Sequence, residues 1–290
     1  MAVRNYLEPK RQREIAALAE ALATKYSAGG RVNLERIARE AGIEFHYEDF
    51  PEAFDGVCAA SPRGFVIICN TRRGARHSPR SRYTFAHELG HCFIPEHREK
   101  ILSGEWPAAL DSTDTPADLP EEKEADWFAA NLVLPELAFR TAVENFPGSA
   151  LEHVERHSQH FLASATACAY RLLGLNLLPA PAAVLRWDRS GRLISRRISD
   201  ETAELRTTYR KLASAPPRKS VTAEAIASGT AGKSEGSIPA MQWFPDLSGY
   251  DLGDDAILTE EVMSLGQHGF LTVIHAREVH EEKSAPARKA

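Results

Sequence analysis

Five consecutive residues, His87-Glu88-Leu89-Gly90-His91, carry the side chains best suited to chemistry in this 290-residue chain. Residues four apart on a helix share a face, so His87 and His91 can offer two imidazole nitrogens to one metal ion about 2 Å away. Glu88 adjoins the first of them. From there it can reach a metal-bound water without ligating, and serve first as general base and then as general acid. A zinc ion would lower the pKa of that water to about 7 and polarise a scissile carbonyl. Such a pattern arises by accident in roughly one comparable sequence in thirty. The plain alternative is a helix with two hydrogen-bonded histidines. Phe85, Ala86, Leu89 and Phe93 surround the motif, however, and would draw both imidazoles inward. Buried polar groups need partners, and a metal ion satisfies both rings at once. Metal-assisted hydrolysis is therefore the expected chemistry. Zinc is the expected ion, with manganese able to occupy the same donors.

A catalytic site of this kind needs a third protein ligand and an open fourth position. The segment from Pro120 supplies Glu121, Glu122 and Glu124, followed by Asp126. Glu122 and Asp126 are four apart and share a face with Ala129, and nearly with Ala125, whose small side chains let a second helix approach closely. That arrangement supports Glu122 as ligand and Asp126 as acceptor for the distal N–H of a ligating histidine. Acidic residues in a first helical turn also complement the helix dipole with no metal involved. Spacing alone does not separate the three glutamates.

The elements that must position these residues follow from periodicity. Ile15, Leu18, Leu22 and Ala23 mark an amphipathic helix over residues 10–25, and a short helix near 33–41 ends at Gly42. The period then changes to that of strands at 43–47, 56–60 and 64–69, the last two joined at Ser61-Pro62-Arg63-Gly64. The motif helix runs from about Arg80 to Phe93 and stops at Pro95. Residues 95–119 read as a surface loop. A helix then starts near Pro120, with Asp118 as a plausible cap, and reaches Leu134; more helix follows to about Leu175. Leu178-Pro179-Ala180-Pro181 marks a boundary. Beyond it, 184–188 and 192–198 form a hairpin and 270–274 a strand. The expected class is α+β: a mostly helical domain over 1–178 with a small three-stranded sheet before the motif helix, a C-terminal α+β domain over 179–280 of unassigned role, open to regulation, and a disordered tail at 281–290.

Composition sets outer bounds. Hydrophobic residues at 43% and charged residues at 26% are ordinary for a globular protein, and the net charge of -5 argues against direct nucleic-acid binding. Arg72, Arg73, Arg76, Arg80 and Arg82 crowd the approach to the motif and read as a solvated loop. No stretch has signal-peptide or membrane-spanning character, and the four widely spaced cysteines read as free buried thiols, so the expectation is a cytoplasmic protein. His153, His157 and His160 share a helical face with no acidic partner and read as surface or packing residues. His97 and Tyr170 are both candidates to donate to an oxyanion, and nothing in the sequence selects either.

Two blocks carry a family resemblance. Phe85-Ala86-His87-Glu88-Leu89-Gly90-His91, followed by Glu122-Lys123-Glu124-Ala125-Asp126-Trp127-Phe128-Ala129-Ala130-Asn131-Leu132-Val133-Leu134-Pro135, resembles the signatures of the ImmA/IrrE family of bacterial metallopeptidases. The likeness covers roughly the first 175 residues. It implies a gluzincin-like zinc site with His87, His91 and Glu122 as ligands and Glu88 as catalytic acid/base. Members of that family typically cleave a helix-turn-helix repressor of the XRE type and so induce a stress or mobile-element response, which implies such a repressor as protein substrate. The rival expectation is a metal-stabilised regulatory module that sequesters a repressor without hydrolysis. Glu88 discriminates between them, because a purely structural zinc does not require it.

Overall fold

The computed structural model describes residues 7–51, 54–106, 108–112, 119–199, 214–229, 231–244 and 256–276, with side chains of 108–112 not included. Asp118 and the expected tail at 281–290 lie outside the described residues. The fold is mixed α+β. Its contacts group into two compact units, one of Met1–Gly148 with Glu152–Cys168, the other of Ser149–Leu151 with Ala169–Ala290.

In the first unit, α1 (Pro9–Tyr26) begins with proline in its first turn, where the missing N–H costs no bond, and buries Ile15, Ala19, Ala23 and Tyr26. A two-residue hairpin, β1 (Ser27–Ala28) and β2 (Arg31–Val32), leads to α2 (Leu34–Glu40). Asn33 caps α2 by accepting the Arg36 N–H at 3.0 Å. The sheet has the order β3-β5-β4-β6, formed by β3 (Glu44–Glu48), β4 (Phe54–Ser61), β5 (Gly64–Asn70) and β6 (Ala108–Ser112). Strand β3 runs parallel to β5, and the other pairings are antiparallel.

Strand β6 corrects the reading of 95–119 as a loop, as does α4 (Pro95–Ser103). Pro95 does stop the preceding helix, but it also sits in the first turn of the next one, where proline fits. That second helix buries His97 and Ile101. The sheet thus gains a fourth strand from downstream of the motif.

The motif lies in α3 (Pro79–Phe93), capped by Ser78, whose hydroxyl accepts the Ser81 N–H at 3.2 Å. It packs against β4 and β5 on one side and against α5 (Pro120–Val133) on another, so every residue from Thr84 to Cys92 is buried. Helix α5 starts from Leu119, which makes no side-chain cap bond. Helices α6 (Glu136–Glu144), α7 (Ala150–Phe161) and α8 (Ala165–Gly174) follow along the chain, the start of α7 and the second half of α8 being assigned to the second unit. All four cysteines are free and buried, with Cys58 Sγ on β4 and Cys92 Sγ on α3 3.2 Å apart. No helix among the described residues is long and apolar enough to cross a membrane.

The second unit is built on an antiparallel sheet of order β8-β7-β11-β10-β9, with β7 (Ala183–Trp187), β8 (Leu193–Ile198), β9 (Lys233–Pro239), β10 (Ile257–Ser264) and β11 (Phe270–Ala276). The helices α9 (Val221–Ser228) and α10 (Ala240–Trp243) complete it. Trp187, Trp243, Phe244 and Phe270 form its core with aliphatic side chains of the strands. Both tryptophans are therefore packing residues. The buried Glu261 of β10 accepts the Ala150 and Leu151 N–H groups at 2.9 and 2.8 Å and the Ser149 hydroxyl at 2.6 Å. Burial alone would raise the pKa of this carboxyl, but His275, Ser149 and the Leu151 amide hold it below the usual range.

A depressed folded-state pKa means the carboxylate stabilises the fold above its unfolded pKa, and that contribution is lost as pH falls through the folded value. Glu261→Gln removes the charge and leaves donors unpaired, at an expected cost of about 1–3 kcal/mol at pH 7. In urea titrations the gap to the native chain should narrow below about pH 4.5. A gap that stays constant to pH 3 contradicts the assigned role.

Candidate metal centre

Helix α3 holds His87 and His91 on one face, and α5 brings Glu122 against them. Ligating atoms from these three side chains all lie within 4.8 Å of one another, and all three are buried. His87 Nε2 is 3.1 Å from Glu122 Oε2 and 3.1 Å from His91 Nε2, and His91 Nε2 is 3.8 Å from Glu122 Oε1. Ligands about 2 Å from a tetrahedral ion stand about 3.3 Å apart, so these spacings suit one ion.

Small residues make that meeting possible. A Cβ placed on Gly90 would come within 3.2 Å of Ala125 Cα and 3.2 Å of a Phe128 ring carbon, tighter than ordinary packing. The two helices cross at Gly90 and Ala125, and a larger residue at either position would separate the histidines from Glu122.

The outer hydrogen bonds decide which ring atoms face inward. His87 Nδ1 lies 3.1 Å from Asp126 Oδ1, and the Tyr83 hydroxyl donates to the same oxygen at 3.0 Å. A carboxylate only accepts, so Nδ1 of His87 carries hydrogen. On the other ring, His91 Nδ1 is 3.1 Å from His97 Nδ1, and His97 Nε2 is 3.1 Å from Glu124 Oε2. His97 must donate to Glu124 through Nε2, which leaves its Nδ1 to accept from His91. Arg11 clamps Glu124 with bonds of 2.8 and 2.6 Å and binds Glu96 as well. The network therefore turns a lone pair at Nε2 of each motif histidine toward the other and toward a carboxylate.

Lone pairs 3.1 Å apart repel unless a cation sits among them. Burial disfavours charge on His87, yet the hydrogen bonds to Asp126 and Glu122 and the nearby Glu88 charge outweigh it and raise its pKa well above the ordinary value. A second proton or a metal ion is favoured there. His91 goes the other way: burial, then the neighbouring His87 and His97, push its pKa well down. Glu122 Oε1 is buried and has no hydrogen-bond donor among the described residues. A buried carboxylate oxygen without a donor beside two inward lone pairs fits a metal ion.

The structure also separates the three glutamates that spacing could not. Glu121 pairs with Lys100 at 2.7 Å and Glu124 with Arg11, leaving Glu122 to face the histidines. Glu88 is fully buried on the same helix turn, and β4 runs against it: a Cβ on Gly56 would lie 2.6 Å from Glu88 Oε1 and 2.6 Å from Thr84 Cγ2. His97 has both nitrogens engaged and is no oxyanion donor in this arrangement. Tyr170 belongs to the second unit and shares a hydrogen bond with Ser195 at 2.7 Å. His157 is buried against Phe139, Phe146 and Phe161, and this burial lowers its pKa to about 4. Sequence reasoning missed the His97–Glu124–Arg11 support because its parts come from three helices. Trp106, edge-on to His91 with centroids 5.1 Å apart, was hidden by the loop reading of its segment.

Comparison with known proteins places part of the chain beside a peptidase family. Residues 38–173 match the model of a peptidase family described as the IrrE N-terminal-like domain. Both resembling blocks fall inside that span, so the resemblance read from the sequence holds there; the match begins after α1. No curated protein matches the chain. Among solved structures, a Mycobacterium tuberculosis transcriptional regulator is similar over 92% of this chain and 78% of its own, with a TM-score of 0.58 and 16% sequence identity. At that identity the likeness is one of fold.

Outer hydrogen-bond partners of metal-binding histidines are typically worth 10–100-fold in affinity. His97→Phe keeps an aromatic ring and removes both nitrogens, so zinc affinity measured by competition with a chromophoric chelator should fall by about that factor. Unchanged affinity in a folded variant would show that the His97 support does not act on the site.

Proposed function

We propose that the IrrE N-terminal-like segment of this chain is a zinc-dependent endopeptidase. His87, His91 and Glu122 hold the ion, Asp126 orients His87, and Glu88 is the catalytic acid/base. The convergence of two inward-facing imidazole lone pairs and a buried carboxylate beside Glu88 is the observation that carries this reading. Two histidines and one carboxylate leave a fourth position open, as hydrolytic rather than structural zinc sites do. Bound there, zinc would act as a Lewis acid on a scissile carbonyl and acidify a water ligand.

The remaining steps belong to the protein. Glu88 takes the proton released by the attacking water and passes it to the departing amine, so one carboxylate serves in both directions. Its burial on the same helix turn holds it beside the two histidines. Gly56 keeps β4 close enough to fix the Glu88 side chain. Asp126 and the His97–Glu124–Arg11 chain keep both imidazoles in the tautomer with Nε2 turned inward. Together they set the ligand field before substrate arrives.

The substrate we propose is a helix-turn-helix repressor of the XRE type, whose cleavage would release a stress or mobile-element response. The match of 38–173 to a peptidase family model supports hydrolysis, and the fold shared with a transcriptional regulator supports a regulatory setting. In this reading residues 1–178 form the peptidase domain, and the α+β domain over 179–280 regulates it.

Glu88→Gln preserves volume and removes the base. With zinc still bound stoichiometrically, cleavage of the cognate XRE-type repressor, followed by mass spectrometry, should fall by at least about a hundredfold. Gly56→Ala, which displaces Glu88 without touching a ligand, should give a smaller loss at full zinc content. Undiminished cleavage by Glu88→Gln contradicts the mechanism. Derepression in cells by Glu88→Gln without any cleavage would point to sequestration instead.

A further inference from the structure

Of the five arginines that crowd the approach to α3, four are neutralised. Arg72 meets Asp49 at 2.7 Å, Arg73 and Arg80 share Asp55 at 3.0 and 2.7 Å, and Arg76 meets Glu35 at 2.9 Å. Arg82 is different. One terminal nitrogen donates to the Val32 carbonyl at 2.6 Å, while its Nε is buried and has no acceptor among the described residues. Neither Arg82 nor the neighbouring Arg31 forms an ion pair among the described residues. Arg31 donates to the carbonyls of Gln159 and His160 at 3.0 to 3.1 Å. Burial, and then the charge of Arg31, push the Arg82 pKa down to about 10. Two cations held together without an anion are unfavourable in the free protein, and a buried donor without an acceptor adds to the cost.

Both arginines line one cavity of about 390 Å³, within the usual range for small-molecule sites. Val32, Leu162 and the Tyr47 ring give it an apolar wall. Its other wall residue of note, His77, has φ 65°, and Leu162 has φ 54°. Left-handed backbone costs about 1–3 kcal/mol at a bulky residue and gathers at ligand clamps. Glu35 also borders the cavity, but it is occupied by Arg39 at 2.8 Å and by Arg76, so it does not neutralise Arg82. The cavity shares no residue with the metal cluster. Arg82 and His87 are five residues apart on α3, hence about 140° apart around its axis.

We propose that this cavity binds a small organic anion, its carboxylate or phosphate held by Arg82 and Arg31 and its apolar part lying against Val32, Leu162 and Tyr47. A planar guanidinium matches the two oxygens of such a group, and the ligand would remove the repulsion between the arginines.

The test is isothermal titration of the full chain with inorganic phosphate and, separately, with benzoate, at an ionic strength held constant by sodium chloride. Saturable binding is expected for at least one probe, and the stronger binder identifies the headgroup. Arg82→Gln and Arg31→Gln should each weaken it tenfold or more. Arg36→Gln should leave it unchanged, because Arg36 pairs with Glu40 outside the cavity. Benzoate affinity should be the same with and without bound zinc. Absence of saturable binding by either probe, equal loss in Arg36→Gln, or affinity that follows zinc content would overturn the proposal. If circular dichroism shows Arg82→Gln unfolded, Arg31→Gln and Arg82→Lys decide it. The lysine keeps the charge but loses the fork, and should weaken binding several-fold.

Discussion

Two imidazoles and a carboxylate buried within 4.8 Å of one another are an electrostatic problem that the rest of the first unit is arranged to create. In water each of these groups would be solvated separately. Here α3 and α5 cross so tightly at Gly90 and Ala125 that solvation is replaced by mutual proximity. A buried carboxylate oxygen without a donor and two facing lone pairs are costly as they stand, on the order of a few kcal/mol for each unsatisfied group. One divalent cation relieves all of them. The raised pKa of His87 is the same fact seen from the proton's side: the site attracts positive charge.

Supports for the two histidines differ in kind. His87 leans on Asp126, a carboxylate at the surface whose side chain is 59% exposed, and on the Tyr83 hydroxyl that shares it. His91 leans on a chain that runs through buried His97 to Glu124 and ends at Arg11 on α1. The first is open to solvent and adjusts readily. The second is locked by a bidentate arginine–carboxylate pair, the geometry that gives such contacts their specificity. One ligand is thus held rigidly and the other by a contact that water can screen. Helix α4 exists to bring His97 back under α3, which explains why Pro95 both ends one helix and begins the next.

How much of this was legible in the sequence depends on the range of the interaction. His87, Glu88 and His91 stand within one turn and a half, so helical period alone places them together. The passage from α2 to β3 and the β4–β5 hairpin were equally local, marked by Gly42, by the Ser61–Gly64 turn and by alternating apolar residues. Glu122 was harder. Nothing local distinguishes it from Glu121 and Glu124, and the choice follows from which neighbours the fold assigns to each: Lys100 from α4, Arg11 from α1, or the histidines of α3. The reading of 95–119 as a loop failed because proline carries two meanings and because β6 gains its strand character by pairing with β4, 40 and more residues upstream. The basic run before α3, read as a solvated loop, is instead ion-paired at four arginines, with Arg80 inside α3, and Arg82 is drawn in by the Val32 carbonyl of β2.

The central claim is that His87, His91 and Glu122 hold one metal ion with a position left open. X-ray absorption at the zinc edge, combined with metal analysis of the purified chain, tests it most directly. The expected result is one zinc per chain, two imidazole nitrogens and light oxygen neighbours at about 2.0–2.1 Å, and no sulfur among the ligands. A zinc–sulfur distance near 2.3 Å, which would implicate the adjacent Cys92, or the absence of any stoichiometric metal would contradict it.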